Sequence, residues 1–253
     1  MRDEASPPWA VGPGELLLHG VSLLREDSEA KRRIAMILID NAVELTLQTY
    51  LTLPERITGV KLSRKQLDEY CSGFPKLLNG VEEHASEKLV GMHLGEFEWF
   101  HRLRNQLYHQ GNGLTVEKRH VEVFAELSEK LFEALFDCRL KLGGHETDNI
   151  RLIGEFFELW IWMERRLSSV VPSVKHYSVT RMAEILVEEG EFSKADLNLF
   201  RQVQTIRNQL VHGDAETDEM LRSENMLKLK QAAKIVDEVS FRRLGIPKSE
   251  ALA

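Results

Sequence analysis

Apolar residues three and four apart recur in almost every segment of this chain. That spacing restricts the backbone more than any other feature. In the stretch 31–51, Ile34, Leu38, Ala42 and Leu45 are spaced to make one apolar helix face. In 115–142, Val121, Phe124, Leu127, Leu131 and Leu135 do the same. No segment of useful length alternates with period two, so the expected fold is all-α, in two tandem antiparallel helical bundles.

Breakers divide the pattern. The charged, Pro-rich residues 1–13 read as a flexible tail, and Pro54 helps to end the helix before it. Residues 64–89 suggest one or two short helices broken near Gly73 and Pro75. A helix over 95–109 stops at the Gln-Gly-Asn-Gly that follows, and the long amphipathic helix comes next. The Gly-Gly-His-Glu-Thr-Asp-Asn of 143–149 reads as a linker. The order then recurs: a long apolar helix before Pro172, a shorter one at 177–190, one over 193–212 that stops at Gly-Asp-Ala-Glu, and a long last helix. The expected division is a first helical domain over 14–142 and a second over 150–245.

The recurrence is specific at one place. Arg-Asn-Gln-Leu-Tyr-His at 104–109 returns as Arg-Asn-Gln-Leu-Val-His at 207–212. At a constant offset, Leu94 pairs with Leu197, Phe97 with Phe200, Phe100 with Val203, Leu103 with Ile206 and Leu107 with Leu210. Outside this stretch the similarity fades, as expected of two divergent copies of one helical unit, a pseudo-repeat. Within each motif, Asn105 and His109 share a helix face, as do Asn208 and His212. Arg104 and Arg207 lie about 100° round from their asparagines, beside them. Each helix thus presents a cation, an amide and an imidazole near its C-terminal end. A histidine in a last turn interacts favourably with the helix dipole, and Gly111 or Gly213 could close the helix, so a capping role is open. A cap, however, does not demand Arg-Asn five and four residues before the histidine.

Composition narrows the chemistry. The net charge is −7, and neither half is basic: residues 1–143 hold 18 Lys and Arg against 22 Asp and Glu, the rest 15 against 18. A broad electrostatic footprint for nucleic acid is therefore missing, and any such chemistry needs a local basic site. No run of about 18 apolar residues and no signal-like leader is read, so no membrane partner is expected. Cys71 and Cys138 give neither a disulfide framework nor a zinc pattern, which fits a reducing, cytoplasmic location. His84, His93, His101, His120, His145 and His176 show no paired metal spacing, so no metal and no cofactor are expected. Neither a Gly-rich phosphate loop, nor a Gly-x-Ser-x-Gly, nor a nucleophilic cysteine setting is found.

Both hexapeptides match the R-x4-H form of the HEPN superfamily, and their place on a helix before a closing long helix resembles that family too. The resemblance extends to the long helix preceding each motif, with acidic positions such as Glu44 and Glu164, and so spans most of 30–142 and 150–242. It implies a metal-independent endoribonuclease of toxin–antitoxin or phage-defence systems, acting on single-stranded RNA. It also implies two motifs facing each other across a cleft, supplied by one chain or by a homodimer, and an antitoxin or effector protein as partner. The residue types suit that chemistry. His109 and His212 are candidate general acids or bases. Arg104 and Arg207 would clamp the phosphate, and Asn105 and Asn208 would orient the histidine or the phosphate. Tyr108 stacks on Arg104 in the plain reading and on a base in the sharper one. The alternative is a non-catalytic HEPN module that binds RNA, a nucleotide or a partner protein.

The chain departs from the nucleotidyltransferase-paired toxins, which commonly carry a tyrosine two residues after the histidine; here Gly111 and Asp214 stand there. Asp214 and Glu216 would also repel RNA at the second motif. Glu158 and Glu164 are candidate partners for the motif arginines. Trp160, Trp162, Phe156, Phe157 and Met163 make their helix apolar on more than one face. Lys31, Arg32 and Arg33, and the Phe-Arg-Arg-Leu-Gly-Ile-Pro-Lys near the C-terminus, are the candidate RNA-guiding patches.

Overall fold

A computed structural model of the protein describes residues 7–26, 28–109, 115–140, 148–172, 178–212, 221 and 223–249, without the side chains of 108, 109 and 148–150. Among them are eleven helices and no strand. The chain divides into two compact units, Met1–Ile150 and Arg151–Ala253. Most of the expected linker, 143–147, lies outside the described residues; its last two begin a helix.

The first unit holds α1 (Pro8–Leu23), α2 (Glu29–Thr52), α3 (Glu55–Thr58), α4 (Arg64–Tyr70), α5 (Phe74–Ala85), α6 (Leu94–His109) and α7 (Lys118–Phe136). α2 is its central helix and packs against α1, α5, α6 and α7. By length and composition α2 could cross a membrane. In this fold it is the core helix of its unit, carrying Met36, Ile39, Val43, Leu47 and Tyr50 inside together with a fully buried Asp40.

That buried stripe corrects the sequence reading. Ile34 of the expected face is 48% exposed, and Leu38 and Leu45 are only half-buried. α2 is apolar nearly all round, so spacing alone offers several faces, and the neighbours packed on it choose one about a residue further on. The tail is corrected as well: α1 already begins at Pro8, because proline at a first helical position sacrifices no hydrogen bond. A Cβ on Gly20 would fall 2.7 Å from Ile39 Cγ1, so glycine there lets α1 lie close on α2. The break expected near Gly73 and Pro75 falls between α4 and α5: Gly73 precedes α5, and Pro75 stands in its first turn for the same reason as Pro8. α7 stops at Asp137, earlier than expected; its backbone is left-handed (φ 53°), and Lys88 bonds both Ala134 O and Asp137 Oδ2 there.

The second unit holds α8 (Asp148–Val170), α9 (Val179–Glu188), α10 (Lys194–His212) and α11 (Ser223–Leu244). α10 packs on α9 and α11. Ser178 caps α9, and a reciprocal pair, Ser193 with Asp196, caps α10. α8 joins α11 through Arg166 and Asp237, and α9 through Ser168 and Met182. The tail after Gly245 folds back: Arg166 donates to Pro247 O at 2.7 Å and Ser249 N to Asp237 at 2.9 Å.

Candidate functional site

Both motifs end a helix whose apolar side is core. Phe97, Phe100 and Leu107 are buried on α6, and Phe200, Val203 and Leu210 on α10. This leaves the Arg-Asn pair on the flank and the histidine in the last turn. His109 and Tyr108 have side chains outside the described structure, as do Gly111, Gly213, Asp214, Glu216, His145 and His176 altogether.

In the first unit Arg104 turns back towards α2. Its Nε donates to Asp40 Oδ2 at 2.6 Å, and its Nη2 meets the same oxygen. Nη1 donates to Asn105 Oδ1 at 2.9 Å, so Asn105 orients the arginine. Glu44 lies 3.8 Å from Arg104 at the more exposed edge, its side chain 41% accessible. His101, one turn before Arg104, also reaches Asp40: its Nδ1 donates at 3.0 and 3.1 Å to the two oxygens. The His101 ring lies flat on Phe74, centroids 4.0 Å apart. The motif arginine is therefore held by a buried carboxylate.

In the second unit Arg207 is 4% exposed and lies over the Trp160 ring, 5.8 Å from its centroid. Its Nη1 donates to Asn208 Oδ1 at 3.5 Å, and Gln204 also donates to that oxygen. Glu164 is buried one turn beyond Trp160 on the same face of α8. Glu158 is exposed, about 200° round the helix from Trp160, which removes it as a partner of Arg207. Trp160 Nε1 is buried without a hydrogen-bond partner among the described residues, the polar cost of placing indole beneath a guanidinium. His212 is exposed, and burial of part of its ring and the Arg207 charge hold it below the usual histidine range.

Spacing alone hid Asp40 and His101. With Ile34 and Leu38 taken as inward, Asp40 points outward, and His101 is four residues from Asn105 with no motif to mark it. Both lie on the buried side once α6 is set against α2. The ligand atoms of Asp40, Glu44 and His101 lie within 4.8 Å of one another, a spacing a divalent cation could bridge. Arg104 already occupies Asp40 as its counter-ion, so such a cation would have to displace a guanidinium from its buried partner.

The candidate guiding patches are largely compensated. Arg242 pairs with Glu191, Arg243 with Glu189 and Glu191, and Lys31 with Glu26. These arginines hold Glu191 below the usual carboxylate range. Exposed, paired charges of this kind contribute little field at a distance. No family model matches the chain, and no curated protein and no solved structure matches it.

Proposed function

We propose that the chain is a metal-independent endoribonuclease of HEPN type, built from two divergent copies of one helical unit and acting on single-stranded RNA in the cytoplasm. The observation that carries this reading is the repeated Arg-to-Asn bond at the end of two helices, Arg104 to Asn105 and Arg207 to Asn208, each followed four residues after the asparagine by a histidine. Helix capping requires no such bond. Two motifs would form the site, from the two units of one chain or from two chains. One histidine takes the 2′-hydroxyl proton, the 2′-oxygen bonds to phosphorus, and the bond to the 5′-oxygen breaks as the other histidine returns a proton to it. His212 suits the base, because its lowered proton affinity keeps it neutral at neutral pH. The arginines stabilise the charge on the phosphorane. A toxin–antitoxin or phage-defence setting, with a restraining protein partner, goes with the same resemblance.

A second reading is a non-catalytic module that binds RNA, a nucleotide or a protein. The Asp40 carboxylate favours it, since it already neutralises Arg104. Incubating the purified chain with labelled RNA in excess EDTA separates the two. Cleavage that persists in EDTA and vanishes in His109→Ala and His212→Ala supports the enzyme. Intact RNA throughout, or cleavage indifferent to both substitutions, leaves the binding module.

A further inference from the structure

The last helix, α11, has an inner and an outer face. Leu229, Ala232, Ala233, Val236, Val239 and Ser240 are buried on the inner one. Leu227, Lys230, Gln231, Lys234, Glu238 and Phe241 lie within about 100° of the opposite side. All but the half-buried Glu238 are exposed, Leu227 to 65% and Phe241 to 50%.

The lysines of this outer face are unmatched. Lys230 and Lys234 stand one turn apart, about 6 Å along the axis. Neither has an ion-pair partner among the described residues. Like charges at that spacing disfavour the helix, so an anion laid across both relieves a repulsion already present. Lys248 joins them from the tail, its Nζ 5.8 Å from the centroid of the Phe241 ring. The tail is tied in place, since Arg166 donates to Pro247 O and Ser249 N to Asp237. Arg166 in turn stands 5.5 Å from the centroid of the half-buried Trp162 ring. Two cation–aromatic pairs therefore adjoin at residues 247 and 248.

The charges around the face favour an anion. Lys230, Lys234 and Lys248 stand against Glu238, three cations to one carboxylate in a chain of net charge −7. Lys228 is matched by Glu224, Arg242 by Glu191, Arg243 by Glu189 and Arg166 by Asp237. On α8, exposed Arg165 offsets exposed Glu158.

We infer that the outer face of α11, through Lys230, Lys234, Phe241 and Lys248, is a docking track for a single strand of RNA. The lysines take phosphates and the Phe241 ring takes a base. A phosphodiester strand suits the face better than an acidic peptide, because it brings a flat base for the ring together with an anion for each lysine. From Leu227 to Phe241 the face runs about 21 Å, room for a few nucleotides. These residues belong to neither motif. The choice of RNA rests on the reading of the chain as a ribonuclease; the geometry of the face does not.

The test reads binding apart from cleavage. The full chain is titrated into a short, labelled 2′-O-methyl oligouridylate, which has no free 2′-hydroxyl to attack its phosphates. Fluorescence anisotropy gives the affinity at several salt concentrations. Combining Lys230→Gln, Lys234→Gln and Lys248→Gln should reduce the slope of log affinity against log salt by about 2, three phosphate contacts at about 0.7 each. Phe241→Leu should weaken binding about tenfold and leave the slope unchanged. All four side chains are exposed, so both variants should melt like the wild type. A wild type that does not bind the strand, an unchanged slope in the lysine variant, or full affinity in Phe241→Leu overturns the inference. Poly-glutamate bound as tightly as the strand, with the same loss in Phe241→Leu, assigns the face to an acidic protein and overturns it too. If RNA is cut while the variants bind the 2′-O-methyl strand as the wild type does, this inference alone falls. If binding depends on the face and no RNA is cut, the nuclease alone falls.

Discussion

Replacing Asp40 by asparagine isolates the charge at the centre of the first unit. The side chains have the same shape, so the cavity contribution is negligible. What disappears is the anion that receives Arg104 Nε at 2.6 Å and His101 Nδ1 at 3.0 Å. Removing one member of a buried ion pair costs about 3–5 kcal/mol, because the other charge stays behind without compensation. Arg104 keeps some access to water, and Glu44 at 3.8 Å remains as a weak counter-ion, which places the loss near the lower end, about 3 kcal/mol. With a urea slope of about 2 kcal/mol per molar, the unfolding midpoint falls by about 1.5 M. Pulsed hydrogen exchange with mass spectrometry along a urea series assigns that loss to a unit. Peptides of α2 and α6 should lose protection early, while those of α9 to α11 keep their midpoint. The double variant Asp40→Asn with Arg104→Met should be less destabilised than the two single losses added together. A midpoint shift under about 0.5 M is what an exposed pair would give. That result, or additive losses, would refute the account of Asp40 as the buried counter-ion of Arg104.

The second unit answers differently to the same question. Trp160→Leu removes the ring beneath Arg207 from a fully buried position and should cost about 2–4 kcal/mol in a thermal or urea melt; Trp160→Phe, which retains an aromatic face, should cost less. Gly80→Ala places a Cβ 2.8 Å from Tyr70 Cγ and 3.0 Å from Leu51 Cδ1 and should destabilise by about 1–3 kcal/mol in a circular-dichroism melt. Gly73→Ala, with extended backbone and nothing within 4 Å, should stay within about 0.5 kcal/mol. His212 binds its proton less readily folded than unfolded, so acidification below about pH 6.5 favours the unfolded chain until the folded ring is protonated too. Urea midpoints at pH 7 and pH 5 should therefore differ less in His212→Gln than in the wild type, and an equal difference would contradict the assigned direction.

Much of the fold is legible in the order of residues along the chain. The capping serines 63, 178 and 193 stand in the sequence where helices begin. The stripe of Val121, Phe124, Leu127, Leu131 and Leu135 on α7 is buried throughout, as its spacing predicts, although Glu122, Glu126 and Ser128 on other faces of the helix are buried with it. α2 is the opposite case: apolar residues on several faces leave its rotation undetermined, and with the rotation went Asp40. The site is legible in the same uneven way. Arg104, Asn105, Arg207 and Asn208 are marked by their repetition, and the bond between each pair is local. The group that each arginine meets on the neighbouring long helix is not marked. Glu44, read as an acidic position of the long helix, lies 3.8 Å from Arg104; of the two expected partners Glu158 and Glu164, the first is exposed and the second is buried.

The sequence by itself determined the helical class and most of the helices, though not the start of α1 or the end of α7, because period and capping act within a few residues along the chain. It also determined the two motif ends, because repetition needs no geometry to be seen. Tertiary structure decided the electrical environment of each motif: a carboxylate with an imidazole around Arg104, an indole beneath Arg207. The reason is one of range. A partner 64 residues away, as Asp40 is from Arg104, leaves no local periodicity to read. It is selected when helix packing fixes the rotation of α2 against α6 and takes both charges out of water together.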